Sequence, residues 1–300
     1  METEFRIGHY PFSKNETSTM VHAEYGRHLA RLLQSPMFTY HDRTKIFDYV
    51  INHFQRAESL FEVEHLARKE GKPNANLYYH GREYAVYQAG YDSVTIAIAL
   101  LDKSKVARYS TPEGILAILI AGANHDNGYV DGAPQDSNYA ARQPIHVIES
   151  IRSALYNFDQ IPVPSGLSTA KIRRLIPLGI HATNFPFTQL HTTERKGMLA
   201  SLDPKERKEA IIVALSVQFA DLGGQVARHD YLANLKDLRK EMNCTEKGLG
   251  DRIIGKDDEM GVKCKAFIEN IVERGVGRTA NAFFGTKDNP FSLEWEKHVA

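Results

Sequence analysis

His125 and Asp126 stand side by side after an apolar run at 115–123, and a single aspartate, Asp221, follows a second apolar run at 211–219. His80, beside Tyr79, heads a third stretch rich in Ala, Val and Ile. Imidazole nitrogen and carboxylate oxygen are the donors that hard and borderline divalent cations take. A carboxylate at the end of a buried helix also needs a cation, a hydrogen-bond donor or a metal to offset its lost hydration. The chemistry open to such a set is activation of water by a bound ion. For any one His-Asp pair the plainer alternative is a capping aspartate beside a partly exposed histidine, because short motifs match often by chance. Three apolar segments that each present a donor at one end make the cluster reading the better one.

Those donors must be positioned by helices. Apolar residues recur at helical spacing over 20–33, stopped by Ser35-Pro36, and again from Ile46 to Leu66, ended by Gly71-Lys72-Pro73. The spacing predicts a helix over 79–101. Thr111-Pro112-Glu113 has the cap, proline, acid order of a helix start, and the helix it opens is apolar on nearly every side, hence buried. A loop follows at 127–135, then a helix over 137–158, bent or restarted at Pro144. Ser168 caps a run to Ile180 that Pro177 is expected to interrupt, and Asp203-Pro204 opens the helix leading to Asp221. Segments 225–242, 256–273 and 279–284 read as amphipathic surface helices. No alternating strand, hairpin signal or repeat is present. The predicted fold is all-α, with an N-terminal helical extension over 1–74, a main domain over 75–245, and a C-terminal helical extension over 246–300 that packs on it.

Composition narrows the function classes. Of the 300 residues, Lys+Arg and Asp+Glu number 37 each, so the formal charge is zero; no clear nucleic-acid surface is expected, nor whole-surface attraction to anionic lipid. No window reaches the ~18 uninterrupted apolar residues of a membrane span, and the first twenty residues lack a signal's apolar core. Cys244 and Cys264 read as reduced thiols of a cytoplasmic protein.

The sequence resembles the HD-domain superfamily of metal-dependent phosphohydrolases, and within it the branch of the cyclic-nucleotide phosphodiesterases and their bacterial relatives. Tyr79-His80-Gly81, His125-Asp126 with Tyr129 and Asn138 beyond it, Ile180-His181-Ala182-Thr183 and Ala220-Asp221-Leu222 carry the resemblance, which spans about residues 75 to 245. It implies an HD-like helical bundle in which His80, His125, Asp126 and Asp221 hold a divalent ion (Zn, Mn, Fe or Mg), with Asp126 bridging to a second, weaker one. Metal coordination then makes hydroxide available near neutral pH for in-line attack on phosphorus, while the ions neutralise charge on the phosphoryl oxygens and a histidine protonates the leaving oxygen. The implied partner is a small phosphorylated molecule, a nucleotide or cyclic nucleotide among the candidates.

One departure stands out. The phosphodiesterase branch carries two histidines four residues apart in its opening motif, and Tyr84 occupies the second position here. A neutral phenol is a poor ligand, and its unperturbed pKa of ~10 keeps it neutral at pH 7. Either His80 is itself the ligand, or His80 is the proton donor and the primary site has lost a ligand. The second option supports a rival function, a degenerate fold serving as a binding or regulatory module, with the terminal helices offering surfaces to a second copy or another protein. A further rival, an iron-dependent HD oxygenase, needs His181 and one more histidine as ligands.

The remaining candidates have plainer explanations. His181 is either a ligand or supporting group, or a structural histidine. His146, within an apolar run, is expected half-buried and satisfied, and His191 solvated. Asn138 supports the loop after the metal pair or caps the next helix. Gly223-Gly224 serves as a helix C-cap, and Arg82 and the basic run at 103–108 lie on the surface.

Overall fold

The computed structural model describes residues 18–69, 83–104, 106–130, 146–183, 193–223, 231–245, 247–256 and 259. Among them the regular structure is helical, without strands: α1 Ser18–Leu32, α2 Arg43–Lys69, α3 Ala89–Lys103, α4 Pro112–Asn124, α5 His146–Gln160, α6 Thr169–His181, α7 Thr193–Ala200, α8 Pro204–Gln218, α9 Tyr231–Thr245 and α10 Leu249–Ile253. Two further segments, Glu83–Gln88 and Phe219–Gly223, are π-helical turns. No helix of the described residues is long and apolar enough to cross a membrane.

Helix α4 is the centre of the bundle. Every residue from Gly114 to Asn124 is buried, as an all-round apolar helix must be, and α2, α3, α5, α6 and α8 pack around it. Its start follows the expected chemistry: the Thr111 side chain accepts from the Gly114 N–H at 3.3 Å, and Pro112 occupies the first turn. A second acceptor comes from α8. Glu209, 2% exposed, accepts from the Thr111 N–H at 3.1 Å and pairs with Lys171 Nζ of α6 at 2.7 Å. A carboxylate at a helix N-terminus is favourably placed against the unpaired N–H groups and the dipole, and Lys171 compensates its burial.

The first two helices share this core. Tyr25, Leu29, Phe54 and Phe61 belong to the same apolar cluster as Val94 and Ile118, and Tyr25 stacks on Phe54 with ring centroids 4.2 Å apart. Glu58 of α2 pairs with His22 of α1 at 2.6 Å and accepts a hydrogen bond from the Tyr87 hydroxyl, which ties both helices to the first π-helical turn. The expected domain boundary near 71–76 lies outside the described residues, as do residues 260–273 of the helix expected over 256–273 and the segment 279–284.

At the α2–α5 contact His53 is 1% exposed. Its ring meets Tyr49 edge-on at 4.7 Å and Phe158 of α5 at 6.2 Å between centroids, and neither ring nitrogen has a hydrogen-bond partner. Burial, aided by the charge of Arg56, pushes its pKa down to about 3.

Two helices differ from expectation. Pro177 does not interrupt α6, which runs unbroken from Thr169 to His181. The N–H that proline lacks would have served the carbonyl of Arg173; Arg173 is exposed and Pro177 half-buried, so water can serve that oxygen, while Ile172, Leu175, Ile176 and Gly179 hold the helix on the core. The helix expected over 79–101 is described only from Glu83, and it opens with a π-helical turn before α3 begins at Ala89.

Candidate metal centre

His125 is the C-cap of α4 and 2% exposed. Its Nδ1 lies 2.9 Å from the carbonyl of Gly122; a carbonyl only accepts, so Nδ1 carries a proton and Nε2 is directed the other way. Nε2 faces Asp126 Oδ2 at 3.2 Å and Asp221 Oδ1 at 3.5 Å. Both carboxylates have 12% of their side-chain surface exposed, which leaves the trio a narrow opening to solvent. Burial lowers the affinity of the imidazole for a second proton, but the two facing carboxylates outweigh it and hold the His125 pKa well above its usual range.

Helix packing brings these groups together from distant parts of the chain. Ser93 of α3 lies against Gly122 of α4 with no room for a Cβ between them, so the beginning of α3 meets the end of α4. Gly179 allows the last turn of α6 to approach α4 and α8, since a Cβ there would stand 2.8 Å from Ala121 and 3.0 Å from Val217. Gln218 of α8 then bonds to Ala182 just beyond α6. The ends of α4, α6 and α8 and the start of α3 form one pole of the bundle, and His125, His181 and Asp221 all sit there. His181 is buried at 7% exposed.

Asp221 lies within the second π-helical turn, and the first π-helical turn contains the backbone of Tyr84. Such turns contain one residue more than an α turn and occur frequently at functional sites. Of the other expected members, His80 and Asn138 lie outside the described residues, as do Arg82 and His191.

The turn after Asp126 is held by groups the sequence reading did not single out. Asn127, fully buried, donates from Nδ2 to Asn124 Oδ1 at 2.8 Å and to Ser153 Oγ at 3.3 Å. The Gly128 N–H donates to Ser150 Oγ at 2.8 Å. Ser150 and Ser153 are three residues apart on α5, so they face the same way; two buried serines at that spacing were the available signal. His146, expected half-buried, is 6% exposed and stacks on Tyr129 with centroids 4.4 Å apart.

Gly128 is required by close approach. A Cβ at this position would fall inside the contact distance of the His146 carbonyl, a backbone atom that cannot swing aside. Gly128→Ala is therefore expected to separate the turn from α5 and to cost about 1–3 kcal/mol, the usual range for overpacking a tight contact. Urea denaturation measures the loss.

Imidazole nitrogen and carboxylate oxygen are donor types that divalent ions take. Two atoms bound to one ion at about 2.1 Å in tetrahedral geometry stand about 3.4 Å apart, and the Nε2 separations of 3.2 and 3.5 Å agree with that. The three groups are not a complete cage: among the described residues no group of three or more His, Cys, Asp or Glu is placed to hold a metal ion. A further donor is needed, and His80 is the one the sequence nominates. No protein-family model matches the chain, and no curated protein matches it.

Proposed function

We propose that the protein is a metal-dependent phosphohydrolase acting on a small phosphoester, with nucleotides and cyclic nucleotides as the first substrates to try. The observation that supports this reading is His125 Nε2, aimed between two carboxylates by the bond from Nδ1 to Gly122. His125, Asp126 and Asp221 would hold the ion, and His80 is its fourth ligand or the proton donor. A divalent ion supplies a water of lowered pKa and neutralises charge on phosphoryl oxygens. The chain itself contributes orientation. The Gly122 carbonyl fixes the tautomer of His125, Asn127 and Gly128 hold the turn that presents Asp126, and the second π-helical turn presents Asp221. In its donor role His80 gives a proton to the leaving oxygen.

The test is binding of manganese or iron to the purified chain, together with manganese-dependent hydrolysis of bis(p-nitrophenyl) phosphate. Both are expected in the wild type, and ion binding is expected to be lost in His125→Ala and Asp221→Ala. A wild type that binds neither ion sinks the reading and favours the binding module that Tyr84 motivates. Oxygen consumption by the iron-loaded protein, without hydrolysis, would favour the oxygenase, for which His181 stands at the same pole.

A further inference from the structure

Gln218 is the last residue of α8, 4% exposed, and it directly precedes the π-helical turn that contains Asp221. Its Nε2 donates to the carbonyl of Ala182 at 3.0 Å. Ala182 is the C-cap of α6 and follows His181, and its carbonyl is among those a helix end leaves without an internal donor. On the same junction Gly179 brings α6 against Ala121 and Val217. The carboxamide thus spans the ends of α6 and α8 where the close approach to α4 is tightest.

We propose that Gln218 is a positioning residue of the candidate metal centre: by tying the end of α6 to the start of the π-helical turn, it sets Asp221 opposite His125 and keeps His181 at a fixed distance from both. The proposal rests on the metal-centre reading above. A π-helical turn has poorer internal hydrogen bonding than an α turn, so a tether from a neighbouring helix decides where its side chains point. The bond from Gln218 to Ala182 crosses from α8 to α6 at the residue just before that turn. An ordinary helix cap would add to stability alone. A positioning residue also changes the ion.

The experiment uses the full chain. Gln218→Met retains the length of the side chain and removes the donor; Gln218→Glu sets a carboxylate oxygen against the Ala182 carbonyl. Manganese is titrated into each protein, and free and bound ion are followed by electron paramagnetic resonance well below the unfolding temperature. The dissociation constant is expected to rise about tenfold in Gln218→Met and up to about a hundredfold in Gln218→Glu, the range seen when a group supporting a ligand is removed. The spectrum of the bound ion should change as well. A Gln218→Met protein whose affinity lies within about twofold of wild type, with the same bound-ion spectrum, overturns the proposal however far its melting temperature falls. Should Gln218→Glu fail to fold, Gln218→Ser replaces it, with the tenfold rise expected of Gln218→Met. A wild type that binds no manganese or iron is a different result: it removes the metal reading itself.

Discussion

On the phosphohydrolase reading proposed above, an Asp126→Ala protein is expected to lose phosphodiester turnover by about a hundredfold to a thousandfold, the scale of removing one electrostatic group from an active site, while its circular dichroism stays that of the wild type. Asp126 lies in the turn beyond α4, with 12% of its side chain exposed at the opening of the pole. His125 keeps its bond to Gly122 and its approach to Asp221. What disappears is one of two negative charges facing Nε2. Asp126→Asn separates charge from shape: it preserves the volume and an acceptor, and should fall nearly as far as the alanine variant. Initial rates on bis(p-nitrophenyl) phosphate at saturating manganese make the comparison. If either protein retained more than about a tenth of wild-type turnover, the role given to Asp126 would be wrong.

The second large effect is acid lability centred on His53. The buried ring has a pKa of about 3 in the folded protein, whereas an unfolded histidine titrates near 6.5. Below about pH 6.5 the unfolded chain therefore binds a proton that the folded chain does not, and stability falls as pH falls. The contribution is fully present above that value and is lost at up to about 1.4 kcal/mol per pH unit on the way down to the folded pKa. Nothing in the pocket offers relief, because Tyr49 and Phe158 pack on the ring and both nitrogens lack partners. His53→Phe retains an aromatic ring there and removes the titration. Its loss of stability between pH 6 and about pH 4 should be shallower, though not abolished, because burial also holds His28 down to about 4; the urea midpoint across that range measures it. Equal slopes for the two proteins would show that another group governs the acid limb.

How much of this could be seen in advance depended on the range of the interaction. The starts of α4, α6 and α8 were legible because the capping bonds of Thr111, Ser168 and Asp203 to N–H groups two or three residues on are local chemistry. Burial of α4 followed from its composition. Pro177 misled, since whether the helix breaks there is decided by the core on one side and water on the other, which no local rule contains. The π-helical turns were invisible for a similar reason: an extra residue in a turn leaves no mark in apolar periodicity over so few positions. Asp221 was nominated by its place after the apolar run at 211–219, but its meeting with His125 needed the packing at Gly122 and Gly179, where the absence of a side chain carries the information. His53 looked like any other residue of an amphipathic helix, because its isolation is a property of Tyr49 and Phe158 together.

The burial of α4 has a consequence for motion. This thirteen-residue helix spans about 20 Å, with Glu209 at one end and His125 at the other, and its middle is enclosed on every side. Its amides should exchange with deuterium only when the whole protein opens. The histidine at its tip then rests on the slowest-exchanging part of the molecule, and a change at Glu209 would be transmitted lengthwise, as along a rod, rather than absorbed by local fraying.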